Sequence, residues 1–329
     1  MEIKQLEAFL AVMTAGSITA AGRLLDRSQS QVTRLIQELE AELGFALFER
    51  NGPRITPTSE AIEFHSDAER FLTGIGRLSE RARTIAAREP ATIEIAAIPA
   101  FAAGFVPMAL AALPGNLLPR SVHLRSMPAE AAVSSVLSGA ADICIASLPV
   151  EHPGLYAHGI FQAPCVAALS STDPLSSKEV ISVHDLADRC LITMANPYRL
   201  RRRIDQALVA NDVRPARIID TNAALNAFKV ASTGLGIAII EPATAYGCQM
   251  VGVRVHPLDT EIPFLWGIFT AASRPISKTA LHFIELAVQQ FATHIPGFVA
   301  HDPQRMELVA DITFGNKSET STGALNVER

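Results

Sequence analysis

Apolar residues between positions 17 and 44 repeat at helical spacing in two short runs separated by a tight turn. The first run follows Ser17, a good N-cap residue, and consists of Ile18, Ala21, Leu24 and Leu25. The second run begins after Ser28, with Gln31 in capping-box position, and ends at Gly44. Its apolar stripe consists of Val32, Leu35, Ile36, Leu39 and Leu43. Because residues 26–27 leave room only for a turn, the pattern predicts a helix-turn-helix.

The outer face of the second predicted helix carries hydrogen-bonding side chains near its N-terminus. They are Gln29, Ser30, Thr33, Arg34, Gln37 and Glu38. In DNA-binding helix-turn-helix proteins, such residues of the second helix contact base edges in the major groove. Any solvated helical hairpin shows a similar pattern, so a plain surface hairpin is the alternative. Arginines and acids balance between residues 23 and 54, but Arg34, Arg50 and Arg54 stand where phosphates would lie.

The stretch from Leu6 to Pro57 resembles the N-terminal domain of LysR-type transcriptional regulators. The resemblance rests on AFLAV, GSITAAGRLL, SQSQVTRLIQELEAELGFALFER and ITPTSEA. It implies a winged helix-turn-helix, with residues 48–56 as the wing, that binds double-stranded operator or promoter DNA. Ser30 and Gln31 depart from the family's usual Pro-Ala at this place, which affects the operator sequence. We expect the DNA-contacting residues to be Ile18, Thr19, Ser28, Gln29, Ser30, Gln31, Thr33, Arg34, Gln37, Arg50, Arg54 and Thr56.

Residues 59–89 predict one long helix with a coiled-coil seam. The seam consists of Ala61, Phe64, Ala68, Phe71, Ile75, Leu78, Ala82 and Ile85, spaced alternately three and four residues apart. Such a helix would be roughly 45 Å long at 1.5 Å per residue, which is too long for the small preceding domain to cover. A second copy of the chain is the simplest partner, so we expect a homodimer or homotetramer.

After Pro90 the pattern changes to alternating strands and helices. Strands are predicted at 92–98, 122–126, 142–147, 166–169, 190–194, 217–220, 236–240 and 265–270, and helices at 105–113, 129–138, 199–211, 223–233 and 278–293. This alternation predicts βαβ units with mainly parallel sheets. The expected fold class is therefore α/β: a helical winged helix-turn-helix, a long linker helix and two Rossmann-like subdomains with a cleft.

The resemblance to LysR-type regulators extends over residues 92–297 and implies a periplasmic-binding-protein-like effector domain. It implies domain limits of 1–58 for the DNA-binding domain and 59–89 for the linker helix. It further implies one subdomain at 92–162 plus 266–297, a second at 163–265, and a hinge where the chain crosses near 161–164 and 262–266. Residues 298–329 are poor in periodicity, so we expect a mostly flexible extension.

Three segments are candidates for the effector site because each leads from a strand towards a helix N-terminus. They are the loop at 99–104, the segment 194–199, and Asn222, which we expect to cap the helix that begins at Ala223. The expected effector contacts are Pro99, Ala100, Phe101, Ala102, Asn196, Pro197, Arg199 and Asn222. For the two asparagines the alternative is plain helix capping, and for Arg199 a solvated helix face. The segment AAIPAFAAGFVP resembles regulators of amino-acid-derived compounds, so an amino acid or an opine-like anion is the expected effector class.

Composition and motifs narrow the class of protein further. The 329 residues are 49% hydrophobic and 19% charged, with a net charge of −5, which fits a small DNA-binding domain attached to a larger acidic one. Without a signal-peptide h-region or an 18-residue apolar run, we expect a cytoplasmic protein with no membrane partner. Cysteines 144, 165, 190 and 248 are widely spaced, and Cys144 and Cys190 lie in apolar runs, which favours buried thiols over a redox switch.

No enzyme motif accompanies this architecture. The sequence contains neither GxSxG nor HExxH, and its nine histidines are dispersed, so we expect no enzyme activity, metal or cofactor. The combined pattern favours a ligand-responsive LysR-type regulator, with RNA polymerase as a further partner. The alternatives are a ligand-independent or architectural DNA-binding protein, and a small-molecule binding module without a regulatory response.

Overall fold

The computed structural model of the chain describes residues 1–51, 54–87, 92–150, 152–195 and 200–303. It divides into two compact units, Met1–Glu89 and Pro90–Arg329. Within the described ranges, no helix combines the length and the apolar character needed to cross a membrane.

The first unit is a helical domain with a two-stranded wing and one long helix. Its elements are α1 (Ile3–Ala15), α2 (Ile18–Leu24), α3 (Gln29–Leu43), β1 (Phe48–Asn51), β2 (Arg54–Pro57) and α4 (Ser59–Ala87). The predicted helix-turn-helix and the predicted wing are confirmed. The sequence pattern did not predict α1, although Leu6, Phe9 and Val12 of this helix are among the most buried residues of the domain core.

The seam of α4 behaves differently at its two ends within a single chain. Ala61 and Ala68 are buried in the core of the first unit. Further along, Phe71 is 51% exposed and Leu78 is 69% exposed. The first part of the seam therefore packs on its own domain, and the later part presents apolar side chains to solvent.

The second unit contains two mixed sheets. Its strands are β3 (Ile93–Ala97), β4 (Val122–Ser126), β5 (Ile143–Ser147), β6 (Leu155–Pro164), β7 (Val166–Ser170), β8 (Cys190–Met194), β9 (Arg217–Thr221), β10 (Ile237–Ile240), β11 (Val253–Pro257), β12 (Pro263–Ala271) and β13 (Val299–His301). Its helices are α5 (Pro99–Ala103), α6 (Phe105–Ala111), α7 (Ala129–Leu137), α8 (Leu200–Ala210), α9 (Ala224–Ser232), α10 (Pro242–Gly247) and α11 (Lys278–His294), with 3-10 turns at Pro174–Ser177 and Val183–Leu186.

The strand order is β13-β6-β12-β5-β3-β4 in one sheet and β11-β7-β10-β8-β9 in the other. Among the strands of the described residues, β3 pairs parallel with β4 and β5, and β8 pairs parallel with β9 and β10. The expectation of mainly parallel sheets is therefore wrong, because β6, β7, β11, β12 and β13 all pair antiparallel. Two consecutive strands of one sheet can pair in parallel only if a long crossover connection, usually a helix, joins them. A strand that leads directly into the other sheet has no such connection.

The two crossovers between the sheets lie side by side. β6 leads into β7 at Cys165, and the chain returns through Ile262 into β12. The N–H of Cys165 donates to the carbonyl of Ile262 at 2.8 Å, so the two crossover segments are joined directly.

The fully buried Trp266 on β12 lies among aromatic side chains of the six-stranded sheet and its helices. Its ring centroid is 5.4 Å from that of Phe101 and 5.8 Å from those of Phe161 and Phe291. This aromatic cluster fixes α5 and α11 against the strand through which the chain returns.

The C-terminal extension differs in part from the expectation. Val299–His301 forms β13, an edge strand that pairs antiparallel with β6, so the predicted flexible extension is wrong for these residues. Residues 304–329 lie outside the described part of the chain.

Candidate DNA interface and effector site

The start of α3 is held by a reciprocal capping box. The N–H of Gln31 donates to the Ser28 hydroxyl at 3.3 Å, and the N–H of Ser28 donates to the Gln31 side chain at 2.9 Å. Ser17 caps α2 through a single hydrogen bond, which its hydroxyl accepts from the N–H of Ala20 at 3.1 Å. The predicted caps of α2 and α3 are therefore confirmed. The Gln31 oxygen is engaged in the cap, and the exposed Ser30 hydroxyl is 3.0 Å from the Ser28 hydroxyl, to which it is hydrogen-bonded. Gln29 is exposed beside them.

The polar face of α3 is exposed to solvent. Gln29, Ser30, Arg34 and Gln37 are exposed and Thr33 is half-buried, while Thr19 on α2 is exposed and Ile18 half-buried. The Arg34 guanidinium donates to Glu38 at 2.8 Å one turn along the helix, with 80% of its side chain exposed. An exposed pair of this kind is weak and would exchange readily for a phosphate.

The wing is anchored to α3 by a carboxylate that the sequence pattern did not single out. Glu40 accepts hydrogen bonds from the N–H of Leu47 at 2.7 Å and from the N–H of Phe48 at 3.1 Å. β1 and β2 then pair with Arg50 opposite Ile55, and Thr56 is exposed. The backbone of Arg50 and Arg54 lies in this hairpin, while their side chains fall outside the description. Glu40 therefore fixes the base of the wing relative to α3.

The predicted effector loop at 99–104 is a short helix rather than an open loop. Pro99 occupies the first turn of α5, and Ala100, Phe101 and Ala102 are buried in the core. The N–H groups of Phe101 and Ala102 both donate to the Ile98 carbonyl at 3.0 Å. The N–H groups of these two residues are therefore used in forming the helix and are not open donors for an effector. Asn196, Pro197 and Arg199 lie outside the described residues.

Asn222 is not the cap of α9. The N-cap is Ala223, which lacks a capping side chain, and Asn222 is exposed. Thr221 supplies the local hydrogen bonds instead, accepting from the N–H of Ala223 at 3.4 Å and from the Asn226 amide at 3.2 Å. The helix begins one residue later than predicted, which moves Asn222 out of the capping position.

Two of the three predicted effector segments meet at the C-terminal edge of the five-stranded sheet. Met194 of β8 pairs with Thr221 of β9, and the N–H of Ala195 donates to the Thr221 carbonyl at 2.8 Å. α5 packs on α9 and on α10. The structure therefore brings the 194–195 and 221–222 segments together at the sheet edge, with α5 against the helix that follows Asn222.

A buried carboxylate, which the sequence pattern also missed, lies at this edge. Glu241 follows β10, is 4% exposed and caps α10, where it accepts a hydrogen bond from the N–H of Thr244 at 2.7 Å and another from the Thr244 hydroxyl. Burial raises the pKa of the Glu241 carboxyl to about 7. The only hint in the sequence is an acid between the apolar run 237–240 and Pro242.

The cysteines carry no disulfide in the structure. Cys144 and Cys165 are buried, and Cys190 and Cys248 are half-buried. Burial raises the pKa of Cys144 to about 12, and that of Cys165 further, which makes both thiols unreactive at neutral pH. The prediction of a buried thiol is confirmed for Cys144 but holds only partly for Cys190. Among the described residues, no cluster of three or more histidine, cysteine or acidic side chains could hold a metal ion.

A winged helix-turn-helix joined to an α/β unit with two sheets defines a class of protein: DNA-binding regulators with a ligand-binding domain. Comparison with protein families agrees with this class. Residues 3–62 match the bacterial regulatory helix-turn-helix protein of the lysR family, and residues 86–292 match the LysR substrate binding domain. The chain belongs to the LysR family of transcriptional regulators.

Individual relatives cover most of the chain. It is 29% identical to the regulatory protein NocR of Agrobacterium fabrum over 86% of this chain and 94% of the relative. It is 30% identical to the octopine catabolism/uptake operon regulatory protein OccR of Rhizobium meliloti, over 74% and 81% respectively. The fold is similar to that of full-length CbnR in complex with its target DNA, with a TM-score of 0.73, 23% identity, and coverage of 88% of this chain and 99% of CbnR. The chain is thus a DNA-binding transcriptional regulator with an effector-binding domain.

Proposed function

We propose that a small-molecule effector binds where the C-terminal edge of the five-stranded sheet meets α5, and that its binding alters subdomain closure. The observation that carries this proposal is the convergence of the 194–195 and 221–222 segments, with α5 packed on α9. Ligands of α/β proteins bind outside the carboxyl ends of strands. The lobes would be 92–162 with 266–297, and 163–265, and the paired crossovers at Cys165 and Ile262 would serve as the hinge.

The proposed effector is an amino acid or an opine-like anion. Support comes from the relative OccR, which is an octopine catabolism/uptake operon regulatory protein. Asn196, Arg199 and Asn222 would hold the effector with the N–H of Ala100, because Pro99 has no N–H and those of Phe101 and Ala102 donate to Ile98. Such a ligand changes DNA binding only if its affinity differs between the two arrangements of the lobes.

A thermal-shift screen of the full chain against amino acids, opines and small organic acids tests this proposal. A ligand that binds the folded state raises stability by RT ln(1+[L]/Kd). We expect at least one amino-acid-type compound to raise the melting temperature and to change operator affinity. A regulator that binds DNA but responds to no compound would instead match the ligand-independent alternative.

For DNA, we propose that Gln29, Ser30 and Thr33 read bases or adjacent phosphates, while Arg34, Arg50 and Arg54 bind phosphates. Gln31 serves the capping box, which its two hydrogen bonds with Ser28 support. Ile18, Thr19, Ser28, Gln37 and Thr56 would complete the interface. A dimer or tetramer would present recognition helices to paired half-sites of the operator. RNA polymerase would be the protein partner of the DNA-bound regulator.

Binding titrations against operator mismatches at two salt concentrations separate these roles. Gln29→Ala should relax preference at one base pair by about 1–3 kcal/mol. Arg34→Ala should weaken binding on all sequences and lower the salt slope by about one per half-site. Gln31→Ala should cost about 0.5–1 kcal/mol of helix stability and leave base preference intact. Unaltered preference for the Gln29 variant, or an unaltered slope for the Arg34 variant, contradicts the assignment.

A further inference from the structure

Glu241 lies at the same edge of the five-stranded sheet as the proposed effector segments 194–195 and 221–222. In the parallel pairing of β10 with β8, Ala238 is opposite Ile192. Continuing that register by three residues places Glu241 beside Ala195, whose N–H donates to the Thr221 carbonyl of the next strand. The carboxyl group therefore stands at the strand ends where an α/β protein binds its ligand.

The charge of Glu241 is not needed for what the carboxyl group does within the chain. Its oxygens cap α10 through the Thr244 N–H and hydroxyl, a task that neutral Ser, Thr or Asn perform equally well. Among the described residues, no basic side chain forms an ion pair with Glu241. The guanidinium of Arg203, which like Glu241 acts electrostatically on Cys165, donates to the Pro263 carbonyl at 2.6 Å instead. A buried carboxylate with no cation among its described neighbours is costly, so a bound cationic group would stabilise it.

A second buried polar group on the neighbouring strand lacks a partner. Thr193 of β8 is fully buried, and its hydroxyl makes no hydrogen bond in the structure. The β10–β8 register places Thr193 opposite Ile239, and parallel neighbours share a face of the sheet. Because Glu241 has an extended backbone, with φ −71° and ψ 153°, its side chain lies on the same face as that of Ile239. The Thr193 hydroxyl and the Glu241 carboxyl thus occupy one face at adjacent strand ends.

We propose that Glu241 determines the effector class by accepting hydrogen bonds from a protonated amino or guanidino nitrogen, with the Thr193 hydroxyl as a second contact. This inference rests on the proposed effector site. In the described part of the chain, no side chain brings a positive charge to Glu241. A cationic nitrogen of the effector would supply that charge, whereas a dicarboxylate would bring a second negative charge. The effector is therefore a zwitterionic or cationic amino-acid-type compound and not a simple organic anion.

The test measures binding of matched probes to the full-length protein by calorimetry. The probes are L-ornithine, L-arginine, L-glutamate and octopine, set against glutarate and 2-hydroxyglutarate, which carry no nitrogen. We expect only the probes that carry a protonated amino or guanidino nitrogen to bind. Glu241→Gln, which keeps an oxygen for the cap, should weaken their binding by about 30-fold or more. Glu179→Gln removes the same charge at an exposed position and should bind like the wild type.

Thr193→Val provides an independent check. Removing a buried hydroxyl that has no partner should leave the melting temperature unchanged or raise it, and yet lower affinity for the same probes about 3- to 10-fold. Binding of glutarate or 2-hydroxyglutarate in preference to the amines, or unchanged affinity in the Glu241 variant, overturns this inference and leaves the effector site standing. If no probe binds the wild type, the proposed effector class itself fails, and this inference fails with it.

Discussion

Single residues were predictable where their role depends on their immediate neighbours in the sequence. Ser17, Ser28 and Gln31 cap their helices as expected, because capping needs a suitable side chain two or three residues from a free N–H. The prediction that Asn222 caps α9 was wrong by one position, because the N-cap of this helix is Ala223, which has no capping side chain. Glu241 went unnoticed because its burial and its place at the sheet edge depend on strands distant in sequence.

The raised pKa of Glu241 predicts a pH-dependent stability. Its folded pKa of about 7 lies above the ordinary 4.5, so the unfolded chain releases this proton at a lower pH than the folded protein does. Stability should therefore be highest below about pH 4.5 as far as this group is concerned, fall as pH rises to about 7, and then level off. The loss should be about 3 kcal/mol.

Urea unfolding of the wild type and of Glu241→Gln at pH 5, 6, 7 and 8 measures this effect. The difference in unfolding free energy between the two proteins should change steadily from pH 5 to 7 in favour of the glutamine variant. A Glu179→Gln control should run parallel to the wild type. A constant difference across the series would show that Glu241 titrates at its ordinary pKa.

Elements were predictable where one periodicity holds over their whole length. β4 and β8 have the expected limits, and α7, α9 and α11 lie within one residue of them at each end. Short elements set by tertiary contact were missed, including α5 and α10. A Cβ added to Gly247, at the end of α10, would lie 3.0 Å from the Cα of Gly104, so these helices meet backbone to backbone. Such an approach needs glycine on both sides, but two glycines so far apart in sequence give no sign of it.

The link between α3 and the wing gives a prediction at the element scale. Glu40→Ala leaves the N–H groups of Leu47 and Phe48 without their acceptor, which should cost about 1–3 kcal/mol locally. Amide hydrogen exchange at these two residues should accelerate at least tenfold, and operator affinity should fall, while preference among bases contacted by α3 stays the same. Glu40→Gln keeps an acceptor and should lie close to the wild type.

Glu63→Ala is the matched control for charge, because Glu63 is an exposed acid of α4. If the Glu40 and Glu63 alanine variants show equal exchange rates and equal operator affinities, the carboxylate does not position the wing.

At the scale of the whole molecule, the order of domains was readable from the sequence, but the pairing of strands was not. The helix-turn-helix pattern, the seam and the strand–helix alternation each mark a different kind of unit. The antiparallel half of each sheet arises because the chain crosses between them twice without a helix. Alternation of strands and helices cannot report such a crossing, since β6 and β7 are continuous in sequence and yet belong to different sheets.

The exposed part of the α4 seam predicts self-association. Ala61 and Ala68 are covered by their own domain, whereas Phe71 and Leu78 are largely exposed in one chain, so a second copy would bury them. Ile75→Glu places a charge in the middle of this seam and should shift the protein from dimer or tetramer towards monomer in sedimentation velocity. With paired half-sites no longer engaged together, operator affinity should also fall at least tenfold.

Ile62→Glu makes the same substitution at a 64% exposed position of α4 outside the seam and should leave the assembly intact. An unchanged sedimentation coefficient for Ile75→Glu, or equal loss of assembly in both variants, would place the self-association surface elsewhere in the chain.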